Sequence, residues 1–397
     1  MRRSFAERAV LLAVLAAVAA GATGPAAKAA GPQFEARAWA LIDARTGAVL
    51  ATHAAHRQLP IASTTKMMTA FVTLHDLPLD KVVRAVPYHP IYGESLLGLR
   101  TGQKISIRDL LYGLILRSGN DAAHNLAVAA AGSDARFVRQ MNRHAAALGL
   151  SDTHFANPVG LDEKGNYSSA YDLTVLGRRL LEYRAFAKIA DSRQATLRSV
   201  HPKRRIETIN DFLLEVPWAT GIKTGHTFAA QYVLVGAGRQ KGVELISAVV
   251  GVWTESGRDV DTRSLLEYGF SLYHERHPVR AGQALSRPEI RYEDGRLPLR
   301  AARSVKVGVR RGQRATVTVR APQEVEGPIR RGTILGSATV RVGGLRVARV
   351  PLRAAHTIAA ASWVDKVRSF IADNALWLAL ALSAILVAAV FLRRRTR

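Results

Sequence analysis

The chain has 397 residues and a formal net charge of +25, with 48% hydrophobic and 22% charged residues. That length and balance exclude a disordered chain and a single small module, and leave room for two or three domains. Cysteine is absent, which excludes a disulfide framework, a thiolate metal site and a cysteine nucleophile, so any nucleophile is oxygen or nitrogen.

Met1-Arg2-Arg3 precedes an apolar run from Ala9 to Ala20 and then Ala27-Lys28-Ala29, with small residues where a signal peptidase cleaves. Residues 1–29 are therefore expected to be an export signal; Arg2-Arg3 leaves the general and twin-arginine routes both open. Ala36 to Leu50 reads as a hairpin around Asp43-Ala44-Arg45-Thr46-Gly47. Helical spacing follows in Ser63–Leu74, Ile107–Leu116, Asp121–Ala131, Asp134–Leu148 and Ala170–Tyr183. Strands are expected over Gln231–Ala237 and Val243–Val252, and a helix over Arg258–Tyr273. Helices clustered between flanking strands predict an α/β (α+β) domain over 30–275, with an antiparallel sheet and a helical subdomain.

From about His277 the sequence turns to short alternating segments such as Val305–Val309 and Ala315–Val319, rich in arginine and broken by Gly and Pro. Residues 276–355 are predicted to form a small all-β sandwich. The arginines imply a polyanionic neighbour: nucleic acid, lipid headgroups and wall polymers attract such a face alike. Residues 356–374 form a connector. Ala375 to Leu392 is free of charge and is followed by Arg393-Arg394-Arg395-Thr396-Arg397. At about 1.5 Å per residue the run approaches the thickness of a bilayer core, so 375–392 is expected to be a transmembrane helix with 393–397 as a cytoplasmic tail, a helix lying on the membrane surface being the competing reading. This topology puts the rest of the chain on the outer face and disfavours nucleic acid as a partner.

Three short segments carry candidate chemistry. In Pro60-Ile61-Ala62-Ser63-Thr64-Thr65-Lys66, Ser63 and Lys66 stand three residues apart at a helix start, so the amine can reach the hydroxyl. A lysine kept neutral can activate a serine, and the helix start supplies N–H groups for an oxyanion. Ser118-Gly119-Asn120 lies between two helices; Ser118 could relay a proton and Asn120 could hold an amide. Ile222-Lys223-Thr224-Gly225-His226 precedes a strand, where Lys223 offers a cation, Thr224 a hydroxyl and Gly225 close backbone approach. Singly these read as a capped helix, an interhelical turn and a charged sheet edge. In this order, and each at the junction its role demands, they resemble the motif set of penicillin-binding proteins and class A β-lactamases.

With these motifs the chain resembles the serine-type D-alanyl-D-alanine carboxypeptidases, the low-molecular-mass penicillin-binding proteins of peptidase family S11. The likeness extends to Ala38–Ala51, Asn157–Asp162, Ser169–Leu173, Leu265–Phe270 and the arginine-rich β segment. The resemblance implies a β-lactamase/transpeptidase-like catalytic domain, a β stalk, and removal of the terminal D-alanine from peptidoglycan stem pentapeptides. It makes Ser63 the acylated nucleophile, Lys66 its base, and Ser118 and Asn120 the second-motif pair. It also makes Lys223 and Thr224 the carboxylate anchor, with Arg258 nearby, and the N–H groups of Ser63 and His226 the oxyanion hole. β-Lactams are implied as inhibitors, with no cofactor and no metal. Val159 and Gln231 depart from the pattern; Gln231 stands where relatives carry glycine. His53 and His56 lack a third ligand, and Asp162 and Asp172 read as turn or cap residues. A D-alanyl endopeptidase and a non-catalytic wall-binding protein remain the alternatives. A class A β-lactamase is disfavoured, because no glutamate suited to deacylation lies near Asn157.

Overall fold

The structure, a computed structural model, describes residues 34–395. The expected export signal lies outside the described residues. The chain divides into two compact units. The first takes in the described residues up to Ile42, Gly47–Gly238 and Ile246–Gly269. The second takes in Asp43–Thr46, Arg239–Leu245 and the chain from Phe270 onward.

The sheet strands of the first part of the chain are β1 (Ala38–Asp43), β2 (Val49–His53), β3 (Ala219–Thr227), β4 (Gln231–Gln240) and β5 (Val243–Val252), in the order β2-β1-β5-β4-β3. The pairs β1/β2 and β3/β4 are antiparallel. β1 and β5 are buried almost throughout and rich in Ala, Leu, Ile and Val, the composition of strands covered on both faces. The Lys-Thr-Gly segment, expected just ahead of a strand, lies inside the edge strand β3. Gly and Lys are poor strand formers, which hides this strand from propensity, but pairing with β4 from Ala219 to Thr227 overrides it.

The longer helices are α1 (Lys66–Asp76), α2 (Ile107–Leu116), α3 (Asn120–Ala131), α4 (Asp134–Ala147), α5 (Ala170–Leu181) and α6 (Glu255–Ser271), with shorter ones over Arg184–Ala190 and Asp211–Glu215. α1 is buried on every side from Lys66 to Thr73. The Thr69 and Thr73 hydroxyls keep their buried polarity satisfied by donating to the Pro158 and Thr69 carbonyls. Each buried Met, Phe or Val there contributes about 1.5–3 kcal/mol of transfer free energy, which makes α1 a rigid mount for its first residue, Lys66. Ser106 and Ser169 accept the N–H groups of Asp109 and Asp172 to cap α2 and α5. Gly132 ends α3 in a left-handed conformation, φ +78°.

The helix expected over Arg258–Tyr273 runs Glu255–Ser271, with Tyr273 opening a strand, and the start of α1 departs further from expectation. The helix predicted to begin at Ser63 begins as a 3-10 turn over Ala62–Thr65, and the α-helix proper starts at Lys66. Ala62 has φ +46° and no side-chain cap is present, so the entry is a tight corner rather than a capped helix start.

In the second unit, β6 (Ala284–Ser286), β7 (Leu299–Ala301), β8 (Ala315–Arg320), β9 (Ile334–Val342) and β10 (Leu345–Ala354) form a sheet in the order β6-β7-β10-β9-β8. Val340, Val350, Leu352 and Leu299 face a core shared with Leu297 and Ile329. The segment expected to be a bare connector contains helix α7 (Trp363–Asp373), started by a reciprocal Ser362/Asp365 capping box. Helix α8 (Ala375–Arg395) follows. Among the described residues no single helix is long and apolar enough to cross a membrane; α7 and Ala375–Ala389 pass that test only together, with a 74° bend between them.

Candidate active site

The corner at Ala62 and the buried start of α1 bring the first two candidates together. Lys66 Nζ lies 2.7 Å from Ser63 Oγ and donates to the Val159 carbonyl at 2.5 Å. Lys66 is fully buried while Ser63 stays partly open to solvent. Burial, and after it the charge of Lys223, holds the Lys66 amine well below its ordinary value, with Glu94 and Asp121 pulling the other way. A lysine so placed spends more of its time neutral, with a lone pair free for the serine proton.

The Asn157–Gly160 segment braces this pair from the side. Asn157 Oδ1 accepts the N–H groups of Val159 and Gly160 and turns the chain, while Gly160, at φ +90°, presses against the Ala62 carbonyl. A Cβ at Gly160 would stand 2.1 Å from that oxygen. Val159 acts through its carbonyl on Lys66, so its apolar side chain, unusual by resemblance, does not enter this contact.

Ser118 sits between α2 and α3 with φ +55° and is buried. Left-handed backbone in a serine is a strained arrangement, held here by the helices on both sides. Lys223 Nζ, on β3, donates to Ser118 Oγ at 3.0 Å and to the Thr224 carbonyl at 2.7 Å. Burial, then the neighbouring charge of Arg258, brings Lys223 down to about 7. Gly225 lets β3 lie against the serine: a Cβ there would be 2.9 Å from the Ser63 nitrogen. Thr224 is buried beside it, and His226 is exposed, its ring stacked 4.1 Å from that of Tyr232.

Arg258 lies in the first turn of α6. It is buried and bound by its own helix, to Asp259 through two hydrogen bonds of 2.9 Å and to Glu255 at 3.2 Å. Its guanidinium lies 5.8 Å from the Tyr232 ring, and its charge reaches Lys223. Gln231 adopts φ +57°, which explains why a glycine suits that position. Asp162 accepts from Thr227 Oγ1 and the Ala229 N–H, tying the end of β3 in place, and Asp172 accepts from Asp152 and Thr153. His53 is exposed against Trp39, and His56 pairs with Asp152. Away from the cleft, His75, Asp76 and His144 each bring one ligating atom within 4.8 Å of the others, a grouping with no signature in sequence spacing.

The residue that sequence reasoning missed is Glu94. Its carboxylate accepts from Asn120 Nδ2 at 2.6 Å, from the Tyr88 hydroxyl and from the Ile91 N–H. Burial opposes its ionisation, but these three donors and the Lys66 charge outweigh it and hold Glu94 below the usual carboxylate range. Because a carboxylate accepts only, the Asn120 nitrogen must face Glu94, which leaves the amide oxygen for another donor. Asp121 latches the same loop by accepting from the N–H groups of Leu97, Gly98 and Leu99.

Residues 25–254 match the peptidase S11 family, described as D-alanyl-D-alanine carboxypeptidase. The chain belongs to that family. It is 31% identical over 360 residues to D-alanyl-D-alanine carboxypeptidase DacA of Escherichia coli strain K12, covering 86% of this chain and 88% of the relative. It is 28% identical over 350 residues to DacF of Bacillus subtilis strain 168, covering 85% and 90%. Among solved structures, penicillin binding protein 5 from Haemophilus influenzae shares 27% identity and a TM-score of 0.57, covering 83% of this chain and 98% of that one. A mutant of the Streptomyces K15 DD-transpeptidase shares 31% identity and a TM-score of 0.57, covering 61% of this chain and all of that one, 100%. This family member carries the mixed α/β fold of those enzymes.

Proposed function

We propose that the protein is a serine D-alanyl-D-alanine carboxypeptidase on the extracytoplasmic face of the cell membrane, which removes the last D-alanine from peptidoglycan stem pentapeptides and is acylated by β-lactams. The observation that carries this is the 2.7 Å contact of a fully buried lysine with Ser63, beside a second buried lysine on β3. Neutral Lys66 accepts the proton as Ser63 Oγ attacks the carbonyl between the two D-alanines, giving a tetrahedral oxyanion. The N–H groups of Ser63 and His226 stabilise that oxyanion. The C–N bond breaks, the proton reaches the leaving amine through Ser118, and the departing D-alanine carries away the carboxylate gripped by Lys223 and Thr224. Water then hydrolyses the ester on Ser63. Asn120 accepts from the substrate backbone through its free oxygen, and Arg258 acts on Lys223 through charge rather than contact. The apolar pair α7 and α8 and the basic residues after Leu392 support attachment to the membrane, and the charge order of residues 1–29 supports export. None of these steps calls on a metal or an organic cofactor.

The test is incubation of the full chain, in detergent, with a stem pentapeptide ending in D-Ala-D-Ala. Stoichiometric release of D-alanine supports the proposal. Tight peptide binding without release supports a non-catalytic wall-binding protein instead.

Two substitutions probe the frame. Gly225→Ala forces β3 away from the Ser63 nitrogen, and a displacement approaching 1 Å in such a site costs about a hundredfold. Acylation by labelled penicillin should fall by that order in this variant while its thermal melt stays cooperative. Glu94→Gln removes the charge that favours protonated Lys66. Lys66 then deprotonates at lower pH, so the acidic limb of the kcat/KM profile should move to lower pH; an unmoved limb would contradict the electrostatic link between the two groups.

A further inference from the structure

The second unit presents a charged face that neither the family match nor the catalytic reading uses. Along β7, β8, β9 and β10 the inward positions are apolar, and cross-strand register puts the alternate residues on the other side of the sheet. There Arg300 lies opposite Arg353, Arg341 opposite Arg346, Arg349 opposite Thr339, and Arg320 opposite Ser337. All six arginines are exposed. These four strands contain no Asp or Glu. The ion pairs of the unit draw on Arg239, His277, Arg291, Arg296, Lys306 and Lys366, and on none of the six among the described residues.

Like charges directly opposite each other weaken a sheet, and this one carries two such pairs, Arg300/Arg353 and Arg341/Arg346. A bound anionic surface would relieve that repulsion. Arg346, Arg349 and Arg353 spread over about 23 Å of β10, at about 3.3 Å per residue, well beyond the footprint of one small anion. Nine positions beyond Arg353, Ser362 caps α7, which exposes Trp363, Val364, Val367, Phe370 and Ile371. Lys366 holds this helix to the same unit through Glu326 at 3.2 Å. Basic side chains and an exposed apolar helix on one unit are the two-signal combination that favours an anionic bilayer over a soluble polymer.

We propose that the outward face of β7-β10-β9-β8 docks on the anionic phospholipid headgroups of the membrane that anchors the chain. The inference rests on the membrane attachment proposed above, and the two are separable. Flotation of the full chain with vesicles of pure phosphatidylcholine reports the apolar helices. The gain on vesicles of equal parts phosphatidylcholine and phosphatidylglycerol reports the arginine face. The variant carrying Arg341→Gln, Arg346→Gln, Arg349→Gln and Arg353→Gln should lose about fivefold of that gain per arginine at low salt, with release of D-alanine from soluble peptide unchanged. The wild-type gain should vanish when ionic strength is raised to about 1 M, where screening extends only about 3 Å. Binding to anionic but not to neutral vesicles would sink the apolar anchor and leave the arginine face standing. Equal binding to both vesicle types, a gain untouched by the four substitutions, or capture of soluble poly(glycerol phosphate) with no preference for anionic vesicles would overturn the proposal.

Discussion

Ser63→Ala is expected to abolish release of D-alanine from a stem pentapeptide, with a loss in kcat on the order of a thousandfold or more. Ser118, the other serine of the cleft, has its hydroxyl against Lys223 rather than Lys66. Ser63 is partly open to solvent and its Oγ is held by Lys66 rather than by the core, so deleting one oxygen leaves packing intact and the thermal melt should move little. Measured side by side, turnover and melting separate loss of the nucleophile from loss of fold. A variant that melts as wild type and still releases D-alanine at even a tenth of the wild-type rate would remove Ser63 from the mechanism.

The second large effect belongs to Lys66. Lys66→Met keeps the volume of a fully buried side chain and removes its amine, so acylation by labelled penicillin should slow by about a hundred- to ten-thousandfold, the usual contribution of a general base. Stability should change only modestly, because relief from burying an amine whose charged form is disfavoured offsets the cost, about 1–3 kcal/mol, of leaving the Val159 carbonyl without its donor. The same electrostatics shape the pH profile. The base works when neutral, and its pKa lies well below that of an ordinary lysine, so kcat/KM rises with pH on the acid side. Lys223 grips the carboxylate when charged, and that charge is lost as pH climbs through about 7 in the free enzyme. The alkaline limb should therefore appear near neutrality and be carried by KM. The two lysines act on each other, so the two limbs belong to the pair rather than to either residue alone. A profile flat from pH 5 to 10 would contradict this account.

Much of the helical framework was readable because local signals agree with the final packing: Ile107–Leu116 begins at a serine cap, and Asn120–Ala131 ends at a glycine. The three motif segments were readable for a different reason, since Ser-x-x-Lys sets its own geometry within one turn while the other two occupy junctions. Where sequence fell short, long-range pairing decided. Lys223 lies within a strand because β4 supplies its partners, despite residues that disfavour strands. Ser63 lies on a 3-10 corner because Gly160, far along the chain, packs on the Ala62 carbonyl. Glu94 carried no signal at all: it is a single acid in an irregular loop, 26 residues from the asparagine it binds. Helix α7 was a missed opportunity, since Ser362-x-x-Asp365 before an apolar run is a capping-box signature visible in the sequence. The arginine face sits between these cases: the charge excess was plain, but only the register shows six of those side chains sharing one side of one sheet.

The catalytic reading depends on one hydroxyl being the atom that forms the acyl bond. Incubation with a labelled penicillin, digestion, and mass mapping of the modified peptide tests this directly. The account predicts one adduct per chain, on the peptide containing Ser63, and absent from Ser63→Ala. An adduct on Ser118 or on any other residue, or labelling that survives Ser63→Ala, would contradict it.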